Sequence, residues 1–263
     1  MSVRDPDVAH GRSAYAPAIN RLIAAIQRRW GTRALRRGVA GHTERGLLPT
    51  HIAALDTLLE GGLPRGAITE LLGAPTSGMT TIALMALAQT QAHGEPGACI
   101  DLSGVFDALY AAACGVALHD LLLARPTGAT DALELVEALV ASGGLGMLVI
   151  DSLAWLPVAP GGRPLLTTAL RRLAPVLARA PTALVALTFL PYPTTVAENL
   201  AGYGSPLAHA ATLRLHVARS AWHIAPGDDV ACRARITVLK RRGAADGAHI
   251  ELPITFPRDG DAL

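Results

Sequence analysis

An apolar segment, Ile68–Leu72, runs into Gly73-Ala74-Pro75-Thr76-Ser77-Gly78-Met79-Thr80-Thr81, and a helix-forming segment, Thr80–Ala92, follows. Nothing else in the chain restricts its fold as strongly. The order strand, glycine loop, helix is the setting of the phosphate-loop pattern G-x-x-x-x-G-K-[ST], here with methionine at the lysine position. Gly73 and Gly78 let the backbone wrap an anion, and the loop N–H groups and the helix N-terminus still favour one. Thr80 is in place to ligand magnesium. Met79 has a length similar to lysine's, so it fills the same space with a thioether but brings no charge. Loss of such a charge-assisted contact costs roughly 1.5–3 kcal/mol in binding, and more where charge develops in a transition state.

The alternation continues downstream. Ala98–Leu102, Leu121–Arg125, Met147–Asp151 and Leu184–Phe189 read as strands, with Phe106–Cys114, Asp131–Ser142 and Leu165–Arg179 as helices between them. The strand runs are continuously apolar, as expected for parallel strands covered on both faces. Aromatics are only 4% of the residues while 51% are hydrophobic, so Ala, Leu, Val and Ile must build the core. From Thr212 the pattern changes to strands joined by tight turns: Thr212–Ala218, Ser220–Ile224, Cys232–Lys240 and His249–Phe256. Pro226-Gly227-Asp228 is a hairpin signal. The expected fold is α/β, mostly parallel, with antiparallel strands at its C-terminal end.

Met147-Leu148-Val149-Ile150-Asp151 is an apolar strand ending in an acid, the pattern that holds magnesium beside a phosphate loop. A strand-end carboxylate satisfied within the protein is the alternative reading of Asp151. Cys99, Cys114 and Cys232 have no metal or CxxC spacing, and the nine histidines show no paired-ligand spacing. The expectation is therefore a reduced, cytoplasmic protein with no metal site of its own. No run reaches the ~18 apolar residues of a membrane span.

Charge is unevenly placed. Residues 1–46 carry nine arginines and three acids, net +6; residues 47–160 are net −9; residues 161–263 are net +5. The near-neutral total hides a basic arm, an acidic middle and a basic end. The expected division is a basic arm, 1–46, and a core, 47–263. Within the arm, a helix at about Pro17–Trp30 presents Ile19, Leu22, Ile23, Ile26 and Trp30 as one apolar stripe. The stripe packs either on its own core or on another subunit.

Several segments together resemble the RecA-like family. Leu55-Asp56 and Gly61-Gly62-Leu63-Pro64-Arg65-Gly66 resemble its approach to the phosphate loop. Ile100-Asp101, Asp107, Tyr110-Ala111 and Gly115-Val116 resemble its segment after the second strand. Val149-Ile150-Asp151-Ser152-Leu153-Ala154 is similar to its magnesium strand, and Ile26-Gln27 with Trp30-Gly31 to its N-terminal helix. The resemblance implies a RecA-like core preceded by a helix that docks on a neighbouring subunit. It also implies a reach by Lys240 and Arg242, within Lys240-Arg241-Arg242, toward a neighbour's nucleotide; a solvated or subunit-contact face is the alternative.

Measured against that family, the chain departs where hydrolysis is done. The loop lysine is Met79, the water-activating glutamate falls at Ser103, and the sensor glutamine falls near Leu190. The first DNA loop shortens to Pro157–Pro164, and the second, about Pro191–Ser205, contains neither lysine nor arginine. The only lysine of the chain, Lys240, lies far from the loop. No catalytic residue is assigned. This pattern of loss resembles the ImuA family, RecA-like accessories of bacterial damage-induced mutagenesis. That resemblance implies a pseudo-ATPase acting through protein contacts in the SOS response and translesion synthesis. Its partners would be an ImuB-type polymerase homologue, RecA or a further copy of itself, with no membrane. No cofactor is expected; weakly held ATP with magnesium at Gly73, Gly78, Met79, Thr80, Thr81 and Asp151, and DNA binding, stay open. The competing expectation is a recombination paralogue or mediator that binds ATP and single-stranded DNA.

Overall fold

The computed structural model describes Ala24, Arg28 and residues 46–153, 162–190, 205–224, 230–241 and 247–255. The chain forms two compact units, Met1–Glu44 and Arg45–Leu263. In the first, Ala24 and Arg28 are helical and exposed, and Arg28 Nε donates to the Ala24 carbonyl at 3.3 Å. The stripe residues Ile19, Leu22, Ile23, Ile26 and Trp30 lie outside the described residues, as do Arg242 and most of both loops at 157–164 and 191–205.

The second unit opens with a small ribbon, β1 (Leu47–Leu48) against β2 (Leu63–Pro64), that brackets the short helix α1 (Ala53–Leu58). None of these is foreseen by periodicity, because each is too short to show a period. Asp56 holds the bend before α1 together: its carboxylate accepts from Thr50 N, Thr50 Oγ1 and His51 N at 2.7–2.9 Å.

The main body is β3 (Ala67–Gly73), α2 (Met79–Ala92), β4 (Gly97–Asp101), α3 (Ala108–Ala113), β5 (Leu121–Ala124), α4 (Ala129–Ala141), β6 (Met147–Asp151), α5 (Gly162–Leu177) and β7 (Ala183–Phe189). After these come the short α6 (Pro206–Ala210), β8 (Leu213–Ile224), β9 (Val230–Arg241) and β10 (His249–Thr255). The eight-stranded sheet runs β10-β9-β8-β3-β7-β6-β4-β5. Its six strands from β8 to β5 are parallel, and β9 and β10 add antiparallel. The mostly parallel sheet with an antiparallel end is what the alternation predicts.

Two apolar layers cover the sheet. On one face, α2 is buried almost all round and packs with α1, Val217, Ile236 and Ile254. On the other, α4 and α5 turn amphipathic stripes (Val136, Val140; Leu166, Leu170, Leu173, Leu177) onto Ile100, Leu148 and Leu184. Near the sheet centre, Glu70 of β3 and its register partner Arg214 of β8 are 1% exposed each. They form an ion pair at 2.5 Å, and Thr188 Oγ1 donates to the same carboxylate at 3.0 Å.

One expectation is corrected. The strands expected at Thr212–Ala218 and Ser220–Ile224 are one strand, β8, with a register shift between Arg219 and Ala221. Ser220 is the inserted residue of a β-bulge. A bulge interrupts alternation without interrupting the strand, so in sequence it looks like a break.

Candidate functional site

The glycine loop leaves β3 at the carboxyl edge of the parallel strands, the side on which open α/β sheets bind ligands. Gly73 ends β3 and is bracketed by β7 and β8, paired with Phe189 and Val217. A Cβ at Gly73 would enter Ser77 Oγ and the Val217 carbonyl. Gly78 caps α2 in the left-handed region, φ 94°, and a Cβ there would strike Ile254. Gly73 is therefore required by space and Gly78 by conformation. The turn is closed by Ser77 N to Ala74 O at 3.1 Å, and Leu190 N donates to Gly73 O at 2.9 Å. Position 190 thus touches the loop through its backbone and brings no polar side chain to it.

Met79 is 1% exposed and belongs to the apolar layer under α2. The residue also helps line a cavity of about 270 Å³ above the loop, shared with Thr76, Ser77, Gly78, Thr80, Thr81, Tyr110, Phe189 and Trp222. Where a lysine would bring charge, the side chain is a neutral, buried thioether. Thr81 Oγ1 and Tyr110 Oη share a hydrogen bond of 2.6 Å, fixing the aromatic wall. Burial pushes the Tyr110 phenol up to about 12, so it stays neutral.

Asp151 ends β6, with β7 between it and the loop strand. Its Oδ1 is buried with no hydrogen-bond partner. Burial first, and then the neighbouring Asp101 charge, push its carboxyl up to about 6. A desolvated carboxylate oxygen without a donor fits a ligand for a hard cation. Among the described residues no group of three or more metal-ligating side chains gathers.

Ser103 lies in a loop folded back onto Asp101. Asp101 accepts from Ser103 Oγ, Gly104 N, Val105 N, Phe106 N and Arg125 Nε. Burial alone would raise this carboxyl, but the hydrogen bonds, led by Arg125, hold it below the ordinary range. Arg125 escapes sequence reading because it sits one residue past a strand end, where an exposed arginine is unremarkable.

Of the basic run at 240–242, Lys240 and Arg241 are turned inward. Lys240 Nζ donates to the Ala208 and His209 carbonyls, closing the C-terminal end of α6. Arg241 donates to the Leu58 carbonyl and pairs with Glu60 at 2.8 Å. The structure does not gather these two with the loop cavity.

Two residues missing from the sequence reading stand beside the loop. Arg219 Nη1 donates to the Thr76 carbonyl at 3.1 Å and also to the Thr76 hydroxyl. Its guanidinium carbon lies 4.5 Å from the ring centre of Trp222. No local pattern marks them; they arrive through the pairing of β8 with β3 and through the Ser220 bulge.

Comparison with known proteins agrees with this architecture. The family model of the RecA N-terminal domain matches residues 17–259. Protein RecA of Thermus thermophilus is 34% identical over 272 residues, covering 94% of this chain and 78% of that protein. Protein RecA of Caldanaerobacter subterraneus subsp. tengcongensis is 35% identical over 270 residues with the same coverage. The crystal structure of the RadB recombinase superposes with a TM-score of 0.59 at 18% identity, covering 78% of this chain and 94% of that one, a likeness of fold. A strand, glycine loop and helix on a mostly parallel sheet, with the RecA N-terminal domain model matching residues 17–259 and RecA relatives covering 94% of the chain, place the chain in the RecA family.

Proposed function

We propose that this RecA-family chain is a non-hydrolysing accessory protein that works through protein contacts. Its setting would be the SOS response and error-prone translesion synthesis, as in the ImuA family. One observation carries the reading: the residue at the loop's lysine position is a methionine buried in apolar packing. Two others support it. Ser103, at the water-activating position, is spent on Asp101, and position 190 offers a leucine. Hydrolysis needs a charge at the transferring phosphoryl group and an oriented water, and neither side chain supplies them.

The docking half rests on the arm stripe Ile19, Leu22, Ile23, Ile26 and Trp30, read as a helix that lays its apolar face into a partner groove. The core adds exposed Val105, Leu109, Leu118, Leu122 and Leu123 along the stretch that leads into β5, the strand at the sheet edge. Apolar residues beside an unpaired edge favour a protein partner. An ImuB-type polymerase homologue, RecA and a further copy are the three candidates, and co-precipitation with each identifies the one used. Steady-state ATP turnover is expected at background with and without DNA. Turnover that Asp151→Ala abolishes would end the non-hydrolysing reading.

A second reading, a recombination paralogue that binds ATP and single-stranded DNA, is favoured by the retained Thr80 and by the orphaned oxygen of Asp151. Magnesium held by these two would neutralise polyphosphate charge. Anisotropy with labelled single-stranded DNA separates the readings, since phosphate-driven binding weakens steeply with salt. Absence of binding at low salt removes the DNA reading.

A further inference from the structure

Strand β8 runs past the end of the sheet core. Leu213, Leu215 and Val217 point to the α2 face, and Val217 pairs with Gly73, the first loop residue. Arg219 is the next residue on that face, now beyond the core and level with the loop. The bulge at Ser220 then reverses the alternation. Trp222 sits opposite Cys232, a residue of the α2 face, and so returns to the same side as Arg219. Without the extra residue, Trp222 would face the other layer.

The pair meets the loop at Thr76, a non-glycine residue in the left-handed region, φ 63°. Arg219 touches both Thr76 and Trp222, and both of these line the cavity above the loop. Among the described residues the charge of this arginine meets no carboxylate. Arg65, Arg125, Arg172, Arg214 and Arg241 each meet a carboxylate. Arg219 is held by a neutral carbonyl, a neutral hydroxyl and an indole face, and among the described residues it forms no ion pair. A second feature points to a ligand. Ser77, 2% exposed and lining the cavity, has a hydroxyl with no hydrogen-bond partner. The N-terminus of the 14-residue helix α2 opens onto the same space.

We propose that Arg219 is the cation of this phosphate loop. From β8 it supplies the charge that Met79 does not, and Trp222 holds the guanidinium against Thr76. The ligand is a polyphosphate, carried by a nucleoside triphosphate or free. The cation has moved from the helix to the neighbouring strand, which restores attraction for the anion without a lysine on α2. This extends the non-hydrolysing reading to a chain that holds a polyphosphate and does not split it, whichever protein it docks on.

The test is calorimetric titration of the full chain with magnesium ATP and, separately, with inorganic tripolyphosphate. The wild type is expected to bind both. Arg219→Ala should weaken both by about ten- to a hundredfold, the loss for one charge-assisted contact. Arg219→Gln preserves a donor for Thr76 and removes only the charge, so it covers the case in which the alanine variant misfolds; the same loss is expected. Arg219→Lys should bind within a few-fold of wild type. ATP binding more tightly than tripolyphosphate identifies a nucleotide as the ligand, and equal binding identifies free polyphosphate; either supports the cation role. Arg219→Gln binding like wild type, or a wild type that binds neither probe, overturns it. ATP turnover by the wild type would instead defeat the non-hydrolysing reading and leave the role of Arg219 standing.

Discussion

Asp151 and Asp101 end adjacent, register-paired strands and are driven in opposite directions. Five donors satisfy Asp101, so it keeps its charge; Asp151 has a buried oxygen with none and holds its proton up to about pH 6. The consequence for stability has a definite sign. The ordinary aspartate value is 3.8, so between about pH 4 and pH 6 the folded chain binds more protons than the unfolded chain. Stability therefore falls as pH rises through that window, and the cost is complete above about pH 6. Asp151→Asn removes it. In chelator, the variant should match wild type near pH 4 and be more stable by about 1 kcal/mol at pH 7.5, after discounting for partial exposure. Urea melts across the pH range check this, and a constant offset at every pH would contradict it. At this scale much of the site is legible in sequence. Gly73, Gly78 and Asp151 are where spacing puts them, because a backbone loop and a strand end are local features. Arg219 and Arg125 are not legible, since what makes each matter is a neighbour more than twenty residues away.

The elements of the parallel core were readable because burial on both faces leaves continuous apolar runs, and β6 matches its expected limits, Met147–Asp151. Short pieces were not: β1, α1, β2 and α6 lack the length to display a period. Nor was β8, whose bulge hides one strand behind two. That bulge makes a checkable statement about the sheet. In a background where Trp30 and Trp155 are phenylalanine, deleting Ser220 should turn Trp222 to the other face and part it from Arg219. The Trp222 emission maximum and its quenching by acrylamide should both change; unchanged values would mean that the bulge does not set its direction. The strand pair β3 and β8 also carries the buried Glu70–Arg214 bridge. Breaking it with Glu70→Gln leaves a guanidinium without its charge partner inside the sheet. The expected cost is about 3 kcal/mol, while Glu70→Leu with Arg214→Met should recover most of it, as seen by chemical denaturation. Additive losses in the double variant would refute the coupling.

At the scale of the whole chain, charge separates residues 1–46 from the rest, and the structure forms two compact units, Met1–Glu44 and Arg45–Leu263. Among the described residues, both apolar layers are built from residues of the unit Arg45–Leu263. The amphipathic pattern of Ile19–Trp30, in an arm of net +6 followed by a segment of net −9, suits a contact between molecules that is apolar at its centre and steered by charge. Two changes separate that view from a merely structural arm. Removing residues 1–44 should leave the melting temperature of the core within a few degrees of the full chain, and should abolish capture of the docking partner. Leu22→Asp with Ile26→Asp in the full chain should do the same without shortening it. Raising the salt should slow association more than it speeds dissociation, because screening acts on the encounter. Surface plasmon resonance with the captured partner reads both rates. A core that melts early without its arm would place the stripe inside the fold, and partner binding that survives both changes would move the interface to the apolar sheet edge at β5.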